Sequence, residues 1–165
     1  MSVRLEGVIL RKKTLRDNDL WFSVFTLSDG RLKLVQKRGL KKTKAGLDIF
    51  CLNEFIVAEN KDFALIYQTT SLDLFASIRQ NYMLLQAAAH AVQIIEKITS
   101  NLQPNPGLYR IFLNYLQTLN SAGDMTLLPA LKLEFYKDIL RNEGIYDGQE
   151  VTEKGFRLQI ENYRG

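Results

Sequence analysis

The residues best equipped for chemistry in this chain are cations. Lys37, Arg38, Lys41, Lys42 and Lys44 crowd into the stretch VQKRGLKKTKAG, with no acid among them and with Gly39 and Gly46 beside the run. Like charges this close repel one another, so the cluster asks for a screening solvent or an anion. The anion that suits it best is one whose charges repeat along a line, a polyanion backbone. The preceding segment RLKLVQKR extends the pattern. Strand alternation sends Leu32, Leu34 and Gln36 to one face and Arg31, Lys33, Val35 and Lys37 to the other. If the leucines are buried, the cations form an outer stripe that runs into the basic loop. Arg11, Lys12 and Lys13, with Arg16, offer an extension, and Trp21, Phe22 and Phe25 stand nearby as aromatics on which bases could stack, although neither face of their strand is clearly polar and most of them read as core. The competing reading is a solvated loop that keeps the protein soluble.

Other reactive side chains carry less. The single histidine, His90, sits in AAAHAV on an apolar helical pattern, where it reads as a core or boundary residue. The single cysteine, Cys51, lies within the apolar run IFCLNEFIVA and reads as a buried, inert thiol; alone it can form neither an internal disulfide nor a zinc site. No phosphate-cradling glycine motif or nucleophile elbow is present, and the carboxylates are scattered. The sequence therefore predicts a non-enzymatic protein without catalytic residues, metal or cofactor.

The elements that must position the cations are legible from composition and period. A chain of 165 residues with 46% hydrophobic content can bury a real core. It lacks an apolar run long enough for a membrane span, and MSVRLEGVILRKK lacks a signal-peptide layout. A reducing, cytoplasmic setting is the simplest reading. Net charge is +4, unevenly spread: residues 1–70 hold 13 Lys/Arg against 8 Asp/Glu, and residues 71–165 hold 9 against 10. The positive half is thus the first half, as expected for a nucleic-acid contact there.

Within residues 1–70 the pattern is that of short strands. SVRLEGVILRKK alternates, with Gly7 as a bulge or close-approach point. LWFSVFTL and RLKLVQKR flank Asp29-Gly30 as a hairpin, and IFCLNEFIVA and FALIYQTT follow. Five short strands are most economically buried in a small barrel. From Ser71 onward the period becomes helical. LDLFASI reads as a short helix. Met83, Leu84, Ala87, Ala91, Ile94, Ile95 and Ile98 form one stripe. A helix starts at Asn105-Pro106, and another runs from Thr126-Pro129 to Gly144. The tail VTEKGFRLQI is left open between a strand pair and a final short helix.

The order of these motifs resembles a known family. LEGVILRKKTLRDNDLWFSVFTLSDGRLKLVQKRGLKKTKAGLDIFCLNEF, then PNPGLYRIFLNYLQTL, then ALKLEFYKDILRNEGIYDG, is similar to bacterial RecO proteins, mediators of DNA repair and recombination, over roughly residues 4–147. The resemblance implies an α+β protein: an N-terminal five-stranded OB-fold barrel over 1–70, basic and DNA-binding, followed by an all-α helical domain over 71–165. It also implies binding of single- and double-stranded DNA, strand annealing, and recombinase loading onto DNA coated by single-strand-binding protein, with RecR as a partner. Many members carry a four-cysteine zinc site after the glycine matching Gly144; IYDGQEVTEKGF has no cysteine to supply it. The chain ends where the family usually continues, as a short member or a fragment would. In the helical part Lys132, beside Leu128, Leu131 and Phe135, has two readings: a cation at the mouth of an apolar groove that could hold the acidic, aromatic-bearing tail of single-strand-binding protein, with Arg79 or Arg110 assisting, or a plain exposed helix lysine. Two rival readings remain: an adaptor that recruits single-strand-binding protein without strong DNA binding of its own, and an OB-type RNA-binding factor.

Overall fold

The computed structural model describes residues 2–38, 46–59 and 63–163. Contacts divide the chain into two compact units. One comprises Met1–Leu74 with Ser100–Pro106, and the other Phe75–Thr99 with Gly107–Gly165.

The first unit is a closed five-stranded barrel: β1 (Ser2–Thr14), β2 (Leu20–Thr26), β3 (Gly30–Gln36), β4 (Leu52–Glu59) and β5 (Ala64–Asp73), in the spatial order β1-β2-β3-β5-β4. All neighbouring pairs are antiparallel except β3 and β5, which meet in parallel at Leu34↔Ala64 and Val35↔Leu65. This is the strand order of the OB-fold, as the resemblance implied.

Closure depends on β1 serving two partners. Ser2–Val8 pair with β4 and Gly7–Thr14 with β2, and a bulge between Ile9 and Arg11 turns the strand from one to the other. Gly7 lies at the crossover, where a Cβ would stand 2.9 Å from the Phe25 carbonyl oxygen. It is thus the close-approach residue, while the bulge falls at Leu10. Inside the barrel Leu5, Ile9, Phe22, Val24, Leu34 and Phe55 form a closed apolar cluster. Each such side chain contributes roughly 1.5–3 kcal/mol by leaving water.

The hairpin predicted at Asp29-Gly30 is present, with Leu27–Asp29 as its loop. Gly30 adopts φ +72, which closes a three-residue connection with a left-handed residue. The Thr26 hydroxyl donates to the Gly30 carbonyl at 2.7 Å and accepts from the Asp29 amide at 3.1 Å, fixing the turn from inside. Cys51, expected within the fourth strand, instead precedes β4. Phe50 takes a left-handed φ of 69, its amide donates to the Ile9 carbonyl at 2.8 Å, and the Cys51 carbonyl accepts from the Ile9 amide. These bonds to the β1 bulge take the place of a regular ladder.

In the second unit α1 (Ala76–Arg79), α2 (Tyr82–Ile98), α3 (Pro106–Ser121), α4 (Leu128–Asn142) and α5 (Glu153–Glu161) follow one another. The start of LDLFASI belongs to β5, which runs to Asp73, so helix begins at Ala76 rather than Ser71. Asn81 caps α2 by accepting from the Met83 and Leu84 amides. Gly144, at φ +75, ends α4: its amide donates to the Arg141 carbonyl and that of Ile145 to the Leu140 carbonyl, the paired bonds of a Schellman motif. The tail left open by the sequence folds as α5, with the Thr152 hydroxyl accepting from the Gly155 amide at 3.0 Å. Phe156 of α5 is buried and stacks on Tyr136, ring centroids 4.3 Å apart. No helix among the described residues is long and apolar enough to cross a membrane.

Candidate nucleic-acid interface

Strand register decides which cations share a surface. Residues directly opposite in antiparallel strands point to the same side. Arg11 faces Ser23, and Ser23 faces Lys33, so Arg11 and Lys33 flank Ser23 in one row across three strands. One step along, Lys13 faces Trp21, and Trp21 faces Val35. Arg11, Lys13 and Lys33 are exposed, and Trp21 is half-buried among them. The opposite face of these strands is core: Phe22 and Leu34, mutually opposite, are wholly inaccessible. Lys12 shares register with Phe22 and so lies on the other side of β1 from Arg11 and Lys13; it stays exposed because β1 there extends beyond its pairing with β4.

The expected stripe along β3 is interrupted at both ends. Val35, on the cation side, is 3% exposed. Arg31 is half-buried because Asn101 and Leu102 lie along it, with the Leu102 amide donating to the Arg31 carbonyl at 3.0 Å. Lys33 is therefore the exposed cation of β3.

Where β3 enters the basic run, Asp19 takes charge of the geometry. Its carboxylate accepts from the Arg38 amide at 2.8 Å and pairs with the Lys37 ammonium at 3.2 Å. The bond from the Arg38 amide, then Lys37, holds the Asp19 carboxyl below the usual carboxylate range. Arg38 itself adopts φ 56. Both Lys37 and Arg38 are exposed, whereas Lys41, Lys42 and Lys44 lie outside the described residues. The connection between β1 and β2, with Arg16 in a 3-10 turn, is exposed as well, and its Asp17 and Asn18 have left-handed backbones.

A matching family model covers this region. Residues 1–75 match the model described as recombination protein O, N terminal. DNA repair protein RecO of Listeria monocytogenes is 27% identical over 132 residues, covering 78% of this chain and 51% of that protein. The chain is thus similar to RecO proteins, and its first 75 residues match their N-terminal domain. Two further RecO proteins, from Alkaliphilus metalliredigens and Bacillus pumilus, are 25% identical over 115 residues and 24% identical over 132. The chain spans about half the length of the relatives it matches.

The helical residues singled out for partner binding are arranged differently from the expected groove. Phe135 is buried and stacked on Tyr115, ring centroids 4.0 Å apart, and Leu128 is 4% exposed, so neither can line an open groove. Leu131 does border a shallow groove, with Leu127 and Thr118. Lys132 is half-buried on another side of α4, near enough to His90 to disfavour its charged form. Cation and apolar groove are thus separated. His90 has its Nδ1 3.4 Å from the Tyr136 hydroxyl; desolvation, more than its charged neighbours, lowers its pKa below the ordinary histidine value. Cys51 is wholly buried. Among the described residues no three His, Cys, Asp or Glu side chains gather as metal ligands would.

Proposed function

We propose that this chain binds DNA through the β1-β2-β3 face of its barrel and acts in recombinational DNA repair. The observation that carries the reading is the register that sets Arg11 and Lys33 on either side of Ser23, with Lys13 and Trp21 in the next row. Three cations around an aromatic give phosphates their counter-charges and an unstacked base a surface. Lys37 and Arg38 prolong the site, Lys41, Lys42 and Lys44 follow them in the sequence, and Arg16 and Lys12 border it at the β1 end. No feature of this face reads base edges, so single and double strands of any sequence are its ligands. Holding two strands on one basic surface lowers their mutual repulsion, which favours annealing. Kinship with proteins named for DNA repair supports the same reading. RecR and the tail of single-strand-binding protein are the partners the family suggests, with recombinase loading as the outcome. For the tail, Lys132 and Leu131 are retained as contacts on two sides of α4.

A salt titration tests this. The logarithm of DNA affinity should fall linearly with the logarithm of salt concentration, with a slope near −0.7 per phosphate contact for single strands and −0.9 for duplex. Five or more contacts would give a slope steeper than about −3. Absent or salt-insensitive DNA binding, together with retained affinity for the single-strand-binding protein tail, would favour the adaptor instead.

A further inference from the structure

The barrel carries a second feature beside the cation row. Below Leu34 the short β3-β5 ladder ends and the two strands part, leaving a cavity of about 360 Å³ lined by residues of β1, β3, β4 and β5 with Asn101 and Leu102. That volume falls within the range of small-molecule sites, roughly 300–1,000 Å³. The floor is apolar: Leu5 and Val57 of the core cluster, with Leu32 packed against them. Phe63, half-buried, supplies an aromatic wall. Its mouth keeps apolar surface in water, since Val3 is 40% and Leu102 72% exposed.

The rim is divided by charge. Arg31 and Lys33 stand on β3, and Asp29 and Glu59 come from the β2-β3 turn and the end of β4. Asp29 accepts from the Ser28 hydroxyl at 3.0 Å and keeps further acceptor capacity, as a carboxylate does. Lys33 belongs both to this rim and to the row with Arg11 and Ser23.

From this geometry we infer that the cleft captures one unpaired nucleobase of a bound single strand. The inference rests on the DNA-binding reading above and adds a ligand subsite to it. A nucleotide has the same division as the rim: an anionic phosphate for Lys33 and Arg31, and a flat base whose N–H groups suit Asp29 and Glu59. Carboxylates accept from exocyclic amines, as from cytosine N4. The ring lies on Phe63 over the leucine and valine floor. An acidic peptide would bring its charge against Asp29 and Glu59, whereas a base brings donors to them. Because a paired base cannot enter, the cleft favours single strands over duplex.

The test compares two oligonucleotides of equal length, one of mixed sequence and one with abasic sugars throughout, by fluorescence anisotropy at low salt. The base-bearing strand should bind about tenfold tighter, the order of one stacking interaction. Phe63→Ala and, separately, Glu59→Gln should each reduce that ratio while the salt slope stays unchanged. Trp21→Ala should leave the Phe63-dependent part of the ratio in place. Glu59 is exposed at a strand end, so its variant reports binding even if Phe63→Ala loosens the barrel. Equal affinity for the two strands, or a ratio untouched by both variants, overturns the base cleft and leaves the polyanion reading standing; the cavity would then suit an apolar side chain of a protein partner. Loss of all salt-dependent DNA binding in the unmodified protein overturns both.

Discussion

Asp19 holds the entrance of the basic run by two different bonds, and they can be separated. The Arg38 amide needs only an acceptor oxygen, which asparagine retains, whereas Lys37 needs the charge. Asp19→Asn should therefore keep the local backbone and release Lys37 for phosphate, raising DNA affinity about two- to fivefold, since an ion pair at the surface is weak and easily exchanged. An anisotropy titration that finds weaker binding would mean the carboxylate orders the loop for its ligand. His90 supports a prediction on stability. Desolvation lowers its folded pKa below the ordinary 6.5, against Glu153, which favours the charged form, and with Lys132 and Arg157, which oppose it. The unfolded chain thus binds the extra proton first. Stability from this residue is complete above about pH 6.5 and declines as pH falls toward the folded pKa. His90→Gln should flatten the melting temperature between pH 7 and 5 relative to the unmodified protein; identical profiles would remove His90 from the account. At this scale the sequence was informative about type and weak about place. The burial of Cys51 and the boundary position of His90 could be read directly. That Phe135 and Leu128 belong to the core could also have been inferred, because an apolar stripe at helical spacing is core by default.

Elements were more legible than residues. Alternation around Asp29-Gly30 foretold the β2-β3 hairpin, and with it the face that carries Lys33. The pairing of Arg11 with Ser23 was not readable, because the bulge at Leu10 shifts the register of β1 by one residue and reverses which side chains point outward. Without the bulge Leu10 would face Ser23, Arg11 would turn toward the core beside Phe22, and Lys12 would take the place of Lys13 opposite Trp21. Nor was the half-burial of Arg31 readable: Asn101 and Leu102 lie some 70 residues away in sequence, and no local pattern encodes that contact. Gly30 ties these observations together. It needs its positive φ for the hairpin, and a Cβ there would collide with the Gln103 backbone. Gly30→Ala should cost about 1–3 kcal/mol in a denaturant melt, through strain and displacement of that segment. A loss below a few tenths would show that the hairpin tolerates another turn.

For the whole molecule, the change of period after about residue 70 conveyed the succession of barrel and helices, and the excess of positive charge lies in the first half, the part proposed to meet a polyanion. The return of Ser100–Pro106 to the barrel unit was hidden, because a segment between two helical stripes carries no mark of the strand it will join. Charge alone does not make an interface; placement does. The direct measurement compares two triple variants that each remove three positive charges: Arg11→Gln, Lys13→Gln, Lys33→Gln on the barrel, and Lys97→Gln, Lys137→Gln, Arg157→Gln on the helices. In salt-titrated binding to a single-stranded oligonucleotide, the barrel variant should lose about two units of log–log slope and at least tenfold in affinity at low salt, with the helical variant close to the unmodified protein. Equal losses in both variants, or none in the barrel variant, would contradict the assignment of the β1-β2-β3 face as the DNA-binding surface.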